Sequence, residues 1–239
     1  MPITVVGAAG NNVGTGTSSG ATLTWPANTR AGDVAYYFVV SNTGAETYTF
    51  TGWTKVVTEL YNGTVHATAC FRKVLDGTET GSVGPTLGAA RRWATSVAVF
   101  RGVNVTTPED VTLVTSQRTL TTTTTAVVTP AITPTSRDTA ILAFASTLSF
   151  TNGEVPTYTW AGYTEQTDTC SSGAAAQNQG MTIATSVLLG GQGTSQNPPD
   201  ITTSLAVSRQ NMYSLALRPA PVSLDPTLHS PAILRASTR

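Results

Sequence analysis

The sequence predicts an all-β protein: a tandem-duplicated, jelly-roll-like β-sandwich of two similar halves with an extended C-terminal arm. Three observations carry this. Charged residues make up only 11% of the 239-residue chain while Thr and Val abound, and β-branched side chains suit the pleated surface of a strand. Short apolar runs are separated by Gly, Pro, Asn and Ser clusters, and no stretch reads as a long amphipathic helix. Finally, the chain repeats its own pattern, which is the signal to look for before any motif.

The repeat is visible without gaps when residues 21–41 are placed over residues 126–146. Ala21, Thr24, Asp33, Ala35 and Ser41 then fall on Ala126, Thr129, Asp138, Ala140 and Ser146. Further on, TYTFTGWT (47–54) matches TYTWAGYT (157–164), and ATSVAVFRGV (94–103) resembles MYSLALRPA (212–220). Three matches in the same order, with a slowly widening offset, point to duplication with loop growth. The division is residues 1–112, 113–219 and an arm at 220–239. In this alignment Thr122–Thr125 of the threonine run lie over Thr17–Gly20, so the run introduces the second half and is not a linker.

The strands expected in the first half are Ile3–Gly7, Ala21–Trp25, Val34–Ser41, Trp53–Leu60, Thr64–Val74 and Ala94–Phe100. In the second half they are Ala126–Thr129, Thr139–Ala145, Tyr163–Thr167, Met181–Leu189 and Ser204–Leu217. Along Thr64–Val74, Val65, Ala67, Ala69 and Phe71 alternate with Thr64, His66, Thr68, Cys70 and Arg72. That period of two predicts one buried and one solvated face. Asn62-Gly63 is a hairpin signal. Beyond Arg218, four prolines at 219, 221, 226 and 231 forbid helix and ladder bonds, so an extended arm is expected. Its apolar residues Leu224, Leu228, Ile233 and Leu234 are candidates for docking into a neighbouring subunit.

Charge excludes some function classes. Thirteen basic residues balance thirteen acidic ones, and no basic cluster exists of the kind that neutralises nucleic-acid phosphates. No apolar run approaches the length that spans a bilayer. The N-terminal stretch has no basic segment followed by an apolar core, so synthesis in a cytosol without an export signal is expected. Cys70 and Cys170 fit no metal-ligand spacing. The sequons at Asn62 and Asn104 carry little meaning without secretion.

Candidate chemistry is sparse. Gly16-Thr17-Ser18-Ser19-Gly20 has the spacing of a nucleophile elbow, but that motif needs a strand before it and a helix after it. His66 and His229 are the available neutral-pH bases, and both read as surface residues. Asp33 and Asp138 read as turn residues that accept local backbone hydrogen bonds. Glu109-Asp110 reads as a solvated turn. Trp53 and Trp160 are candidate glycan contacts, although an aromatic repeated in both halves is the pattern of packing. No residue set nominates a catalytic centre, a metal or a cofactor.

Several stretches together carry a resemblance. They are Ala31-Gly32-Asp33 before an apolar strand, Gly52-Trp53-Thr54, Ala69-Cys70-Phe71-Arg72-Lys73-Val74, and Val97-Ala98-Val99-Phe100-Arg101-Gly102-Val103. This combination resembles the β-sandwich virion proteins of tailed bacteriophages, a family of minor tail and capsid-surface structural proteins. The resemblance covers residues 20–110 and, in weaker form, the second half. There Ser136-Arg137-Asp138 stands for Ala-Gly-Asp and Leu217-Arg218-Pro219 for Phe-Arg-Gly. It implies a non-enzymatic protein of the outer particle surface, assembled in the host cytoplasm with other virion proteins as a homo-oligomer, without cofactor, nucleic-acid or membrane partner. The alternative is a carbohydrate-binding or host-adhesion module that uses Trp53 and Trp160.

Overall fold

The computed structural model describes residues 2–12, 18–149, 156–171, 178–187 and 192–221. The first half supplies β1 (Thr4–Asn12), β2 (Ser18–Gly20), β3 (Leu23–Thr24), β4 (Val34–Ser41) and β5 (Tyr48–Thr49). It continues with β6 (Thr54–Tyr61), β7 (Ala67–Val74), β8 (Ser82–Val83), β9 (Thr86–Arg91) and β10 (Trp93–Arg101). The second half supplies β11 (Val114–Val127), β12 (Ala140–Ser149), β13 (Tyr158–Thr159), β14 (Thr164–Cys170), β15 (Asn178–Val187) and β16 (Ile201–Leu217). Among the described residues every helix or strand is a strand, so the protein is all-β.

Two large antiparallel sheets organise these strands. Their orders are β1-β10-β4-β7-β6 and β11-β16-β12-β15-β14, so strands at matching chain positions occupy matching places. The sheets pack face to face as a β-sandwich. On the outside of the first, β2-β9-β5 and β3-β8 form a further layer, while β13 pairs with the start of β16.

The centre of each sheet explains why the sandwich forms. The β4 sequence VAYYFVVS is buried at every position. Val34, Tyr36, Phe38 and Val40 point inward, to a core shared with Ala140, Leu142, Phe144, Ile183, Tyr213 and Leu215 of the second half. Ala35, Tyr37 and Val39 point outward, to a core with Leu23, Tyr48 and Leu87. A strand apolar on both faces has to be covered on both faces. At the middle of the interface Phe38 stacks on Phe144, with ring centroids 4.3 Å apart and planes 11° from parallel.

This burial corrects the expectation for β7. Ala67, Ala69 and Phe71 do face the outer core, but His66, Thr68 and Cys70 are also fully buried. Their face meets the second sheet and not water. Periodicity reported two chemically different faces, and both are interior.

The ungapped alignment is also corrected, by one residue. The Ser41 hydroxyl bonds the Tyr48 hydroxyl at 2.7 Å, and the Thr147 hydroxyl bonds that of Tyr158 at 2.6 Å. Ser41 is therefore the counterpart of Thr147, not Ser146. By the same shift Asp138 (φ 57°) stands where Gly32 (φ 83°) stands, at a left-handed turn position that Gly and Asp tolerate. A slip of one residue exchanges the faces of a strand. The shifted match restores them: inward Phe38 over inward Phe144.

The threonine run belongs to β11, which pairs antiparallel with β16 from Val114↔Ser214 to Val127↔Ile201. The hairpin at Asn62-Gly63 exists, with Gly63 at φ 68° and Asn62 N bonded to His66 O at 2.7 Å. The arm candidates Leu224, Leu228, Ile233 and Leu234, with His229, lie outside the described residues. The chain reaches that point with Ala220 N donating to Gly102 O at 2.7 Å.

Candidate functional site

The densest polar constellation lies between the two sheets, beside the aromatic core. His66 is fully buried there, which overturns its assignment to the surface. Its Nδ1 lies 2.5 Å from Gln179 Oε1 and its Nε2 2.9 Å from Ser146 Oγ. Gln179 Nε2 donates to Val65 O at 3.2 Å, which turns the amide oxygen towards the imidazole. Nδ1 then carries the proton and Nε2 accepts from the serine hydroxyl. Burial lowers the His66 pKa to about 4, with the Arg209 cation acting in the same direction against the Gln179 hydrogen bond. The ring is neutral at pH 7 and bridges two halves.

The seam continues on both sides of His66. Asn211 Nδ2 donates to Thr68 Oγ1 at 3.1 Å and to Leu60 O at 3.2 Å, and Thr68 Oγ1 also bonds the Tyr213 hydroxyl at 2.5 Å. Asn62 Nδ2 donates to Arg118 O at 2.8 Å and Gln210 O at 3.1 Å. Its amide, the acceptor position of one sequon, is thus enclosed. Each of these bonds joins the first half to the second. A satisfied polar network of this kind fixes one relative placement of two surfaces, because any other leaves buried polar groups unpaired.

Glu109 and Asp110 form a second link. They are not a solvated turn: the two adjacent carboxylates grip opposite halves. Glu109 accepts from the Tyr36 hydroxyl at 2.7 Å and pairs with Arg72, both in the first sheet. Asp110 accepts from Ser136 N at 2.9 Å and from Thr135 N at 2.5 Å, and pairs with Arg218 at 3.4 Å. Burial opposes its ionisation, but the hydrogen bonds from Ser136 and Thr135 outweigh that and lower its pKa. Burial and the Glu109 charge push the Tyr36 phenol well up, so it serves only as a donor.

Two open clefts flank the sandwich, one at each edge. The first, about 530 Å³, is lined by Lys55, Arg72, Glu109 and Leu113 among others. The second, about 560 Å³, is lined by Val5, Gly7, Thr164, Gln166 and Thr185 among others. Strand order makes them counterparts. Only the first is charged, and its charges are already paired: Arg72 with Glu109, Asp110 with Arg218 and Lys55 with Glu59.

The remaining sequence candidates are placed as follows. Trp53 stacks with Phe50 at 4.4 Å and with Trp25 at 5.8 Å, and meets Tyr37 edge-on. Trp160 is buried, stacks with Tyr163 and donates Nε1–H to Thr182 Oγ1 at 3.0 Å. Asp33 accepts from Arg30 N at 3.0 Å, as a turn aspartate does, and also holds Arg101 through both oxygens at 2.8 Å. Ser18, Ser19 and Gly20 form β2, without the strand-to-helix turn of a nucleophile elbow. Cys70 and Cys170 are buried free thiols, and burial pushes Cys170 up to about 12. Among the described residues no group of three or more His, Cys, Asp and Glu converges on a metal-sized site. What sequence reasoning missed is the seam itself. Its one available signal was the doubly apolar β4, which requires cover on both faces for its neighbours too.

Comparison with family models, curated proteins and solved structures finds no match for the chain.

Proposed function

We propose that the chain is a non-enzymatic structural protein of a tailed-phage particle. It sits on the outer surface as a capsid decoration or minor tail protein, assembled in the host cytoplasm with other virion proteins and as a homo-oligomer. On this reading the two halves arose by tandem duplication and then fused. The observation that supports it is the use made of the polar side chains: His66, Gln179, Asn211, Asn62, Glu109 and Asp110 bond one half to the other. A neutral body joined in this way is suited to bearing load between neighbours.

The proline-containing arm serves as the tether. Removing residues 222–239 leaves the Ala220–Gly102 bond intact, so the truncated protein should keep its circular dichroism spectrum and melting temperature while losing incorporation into particles. Full loading of the truncated protein would contradict the tether. Absence of the complete chain from purified particles would contradict the reading as a whole.

A further inference from the structure

The central strands of the two large sheets end in matching positions but are closed differently. In the first sheet β4 and β10 pair up to Val34↔Phe100, and the residues next in register are Asp33 and Arg101. Arg101 Nε donates to Asp33 Oδ1 and Nη2 to Oδ2, each at 2.8 Å. Asp33 Oδ2 also accepts Arg30 N, three residues before it, at 3.0 Å. One buried carboxylate thus closes the turn before β4 and holds the end of β10. In the second sheet β12 and β16 pair up to Ala140↔Leu217. That puts Thr139 in the place of Asp33 and Arg218 in the place of Arg101.

Thr139 has no carboxylate to offer. It is fully buried, yet its hydroxyl has no hydrogen-bond partner among the described residues, which is uncommon for a buried polar atom. The carboxylate comes from the segment that links the halves. Asp110 has a fully buried side chain, with Oδ1 3.4 Å from Arg218 Nε. Its Oδ2 accepts Ser136 N at 2.9 Å, and Ser136 stands three residues before Thr139, as Arg30 stands before Asp33. Asp110 therefore serves the same two groups, a turn N–H and an arginine, from a different place in the chain. The fit is poorer: Arg218 Nε makes no hydrogen bond among the described residues, whereas Arg101 Nε makes one.

We propose that residues 104–113 form a strap that lends the second half its turn carboxylate, so that the turn at 133–138 and the root of the C-terminal arm close fully only when the first half holds the strap. Glu109 supplies that hold, through the Tyr36 hydroxyl and Arg72. Arg218 lies at the root of the arm. Its N donates to Pro108 O at 2.8 Å, its O accepts from Asn104 N at 2.9 Å, and its Nη1 donates to Thr107 Oγ1 at 3.0 Å. Two adjacent carboxylates thereby make the order of one segment depend on a contact in the other half, which is a coupling between separate sites. The first half, with Asp33 beside its own turn, has no such dependence. The correspondence is one of position in the two sheets and does not rest on the particle assignment.

Amide hydrogen exchange of Ser136 reads the strap, because Asp110 holds that N–H. Arg72→Gln removes the Glu109 ion pair in the first half. It should speed Ser136 exchange at least about threefold relative to the core amides of β12, as local opening does. Asp110→Ala should speed it further and raise the unfolding constant of the full chain at least about tenfold, since it leaves an arginine without its carboxylate. Adding Thr139→Asp to Asp110→Ala places the carboxylate where the first half has it. That double variant should recover most of the stability, and in it Arg72→Gln should no longer change Ser136 exchange. Thr139→Asn in the same background, equal in size but uncharged, should recover little. A Thr139→Asp double variant no more stable than Asp110→Ala overturns the exchange of one carboxylate for the other. Ser136 exchange that ignores Arg72→Gln in the otherwise unchanged chain overturns the strap.

Discussion

Phe144→Ala is expected to destabilise the whole chain by about 3–5 kcal/mol, the usual range for removing a buried phenyl ring. The ring is fully buried on the inner face of β12. It lies 4.3 Å from Phe38 and 5.2 Å from Tyr213, so its loss opens a cavity walled by both sheets. Neither sheet can close that cavity alone, because each is held in its outer layer by a separate core. For a domain of this size the loss corresponds to a fall in melting temperature of roughly 6–20 °C. Thermal unfolding followed by circular dichroism measures it. A double-mutant cycle with Phe38→Ala should show coupling of about 0.5–1.5 kcal/mol for the stacked pair.

Acid should loosen the same interface through His66. Its folded pKa is lowered from 6.5 to about 4, so between these values the unfolded chain binds a proton that the folded chain does not. Stability from this group is therefore complete above pH 6.5 and is lost as the pH falls, amounting to about 3 kcal/mol below pH 4. One pair works in the opposite sense. Burial and the neighbouring Asp168 raise Glu165 to about 7, which favours the folded state as pH falls from 7 towards 4.5. Glu165 is exposed on the end strand β14, where solvent screening keeps such effects small. His66 decides the sign. Urea unfolding at pH 7 and at pH 4.5 should show a larger drop for the wild type than for His66→Gln. Equal drops would mean that the imidazole does not stay neutral in the fold.

How much was legible in advance can be read from particular strands. The run Val34–Ser41 was delimited correctly because it is long, apolar and bounded by turn residues, and β10, β12 and β16 stood out for similar reasons. The two-residue strands β5, β8 and β13 left no period to detect. The threonine run reads as the lead-in to a strand at Ala126–Thr129, whereas β11 begins at Val114, contains the run and ends at Val127.

The errors share one cause. Alternation along Thr64–Val74 separates two faces but does not say what each face meets. His66 reads as solvent-facing because the residues alternating with it are polar, whereas its partners are Gln179 and Ser146, far away in sequence. Glu109 and Asp110 were likewise judged by their local setting, while Arg72, Tyr36, Ser136 and Arg218 come from elsewhere in the chain. The one-residue alignment error is invisible in the sequence, because both runs are apolar at nearly every position; the structure reveals it, since Ala35 faces the outer core and Ala140 the inner one.

The central claim is that both halves form one body, with the polar seam and the Phe38–Phe144 core as its joint. Scanning calorimetry of the full chain tests it most directly. The account predicts a single transition with equal calorimetric and van't Hoff enthalpies, shifted as a whole by Phe144→Ala. Two separate transitions, with Phe144→Ala moving only one of them, would contradict it.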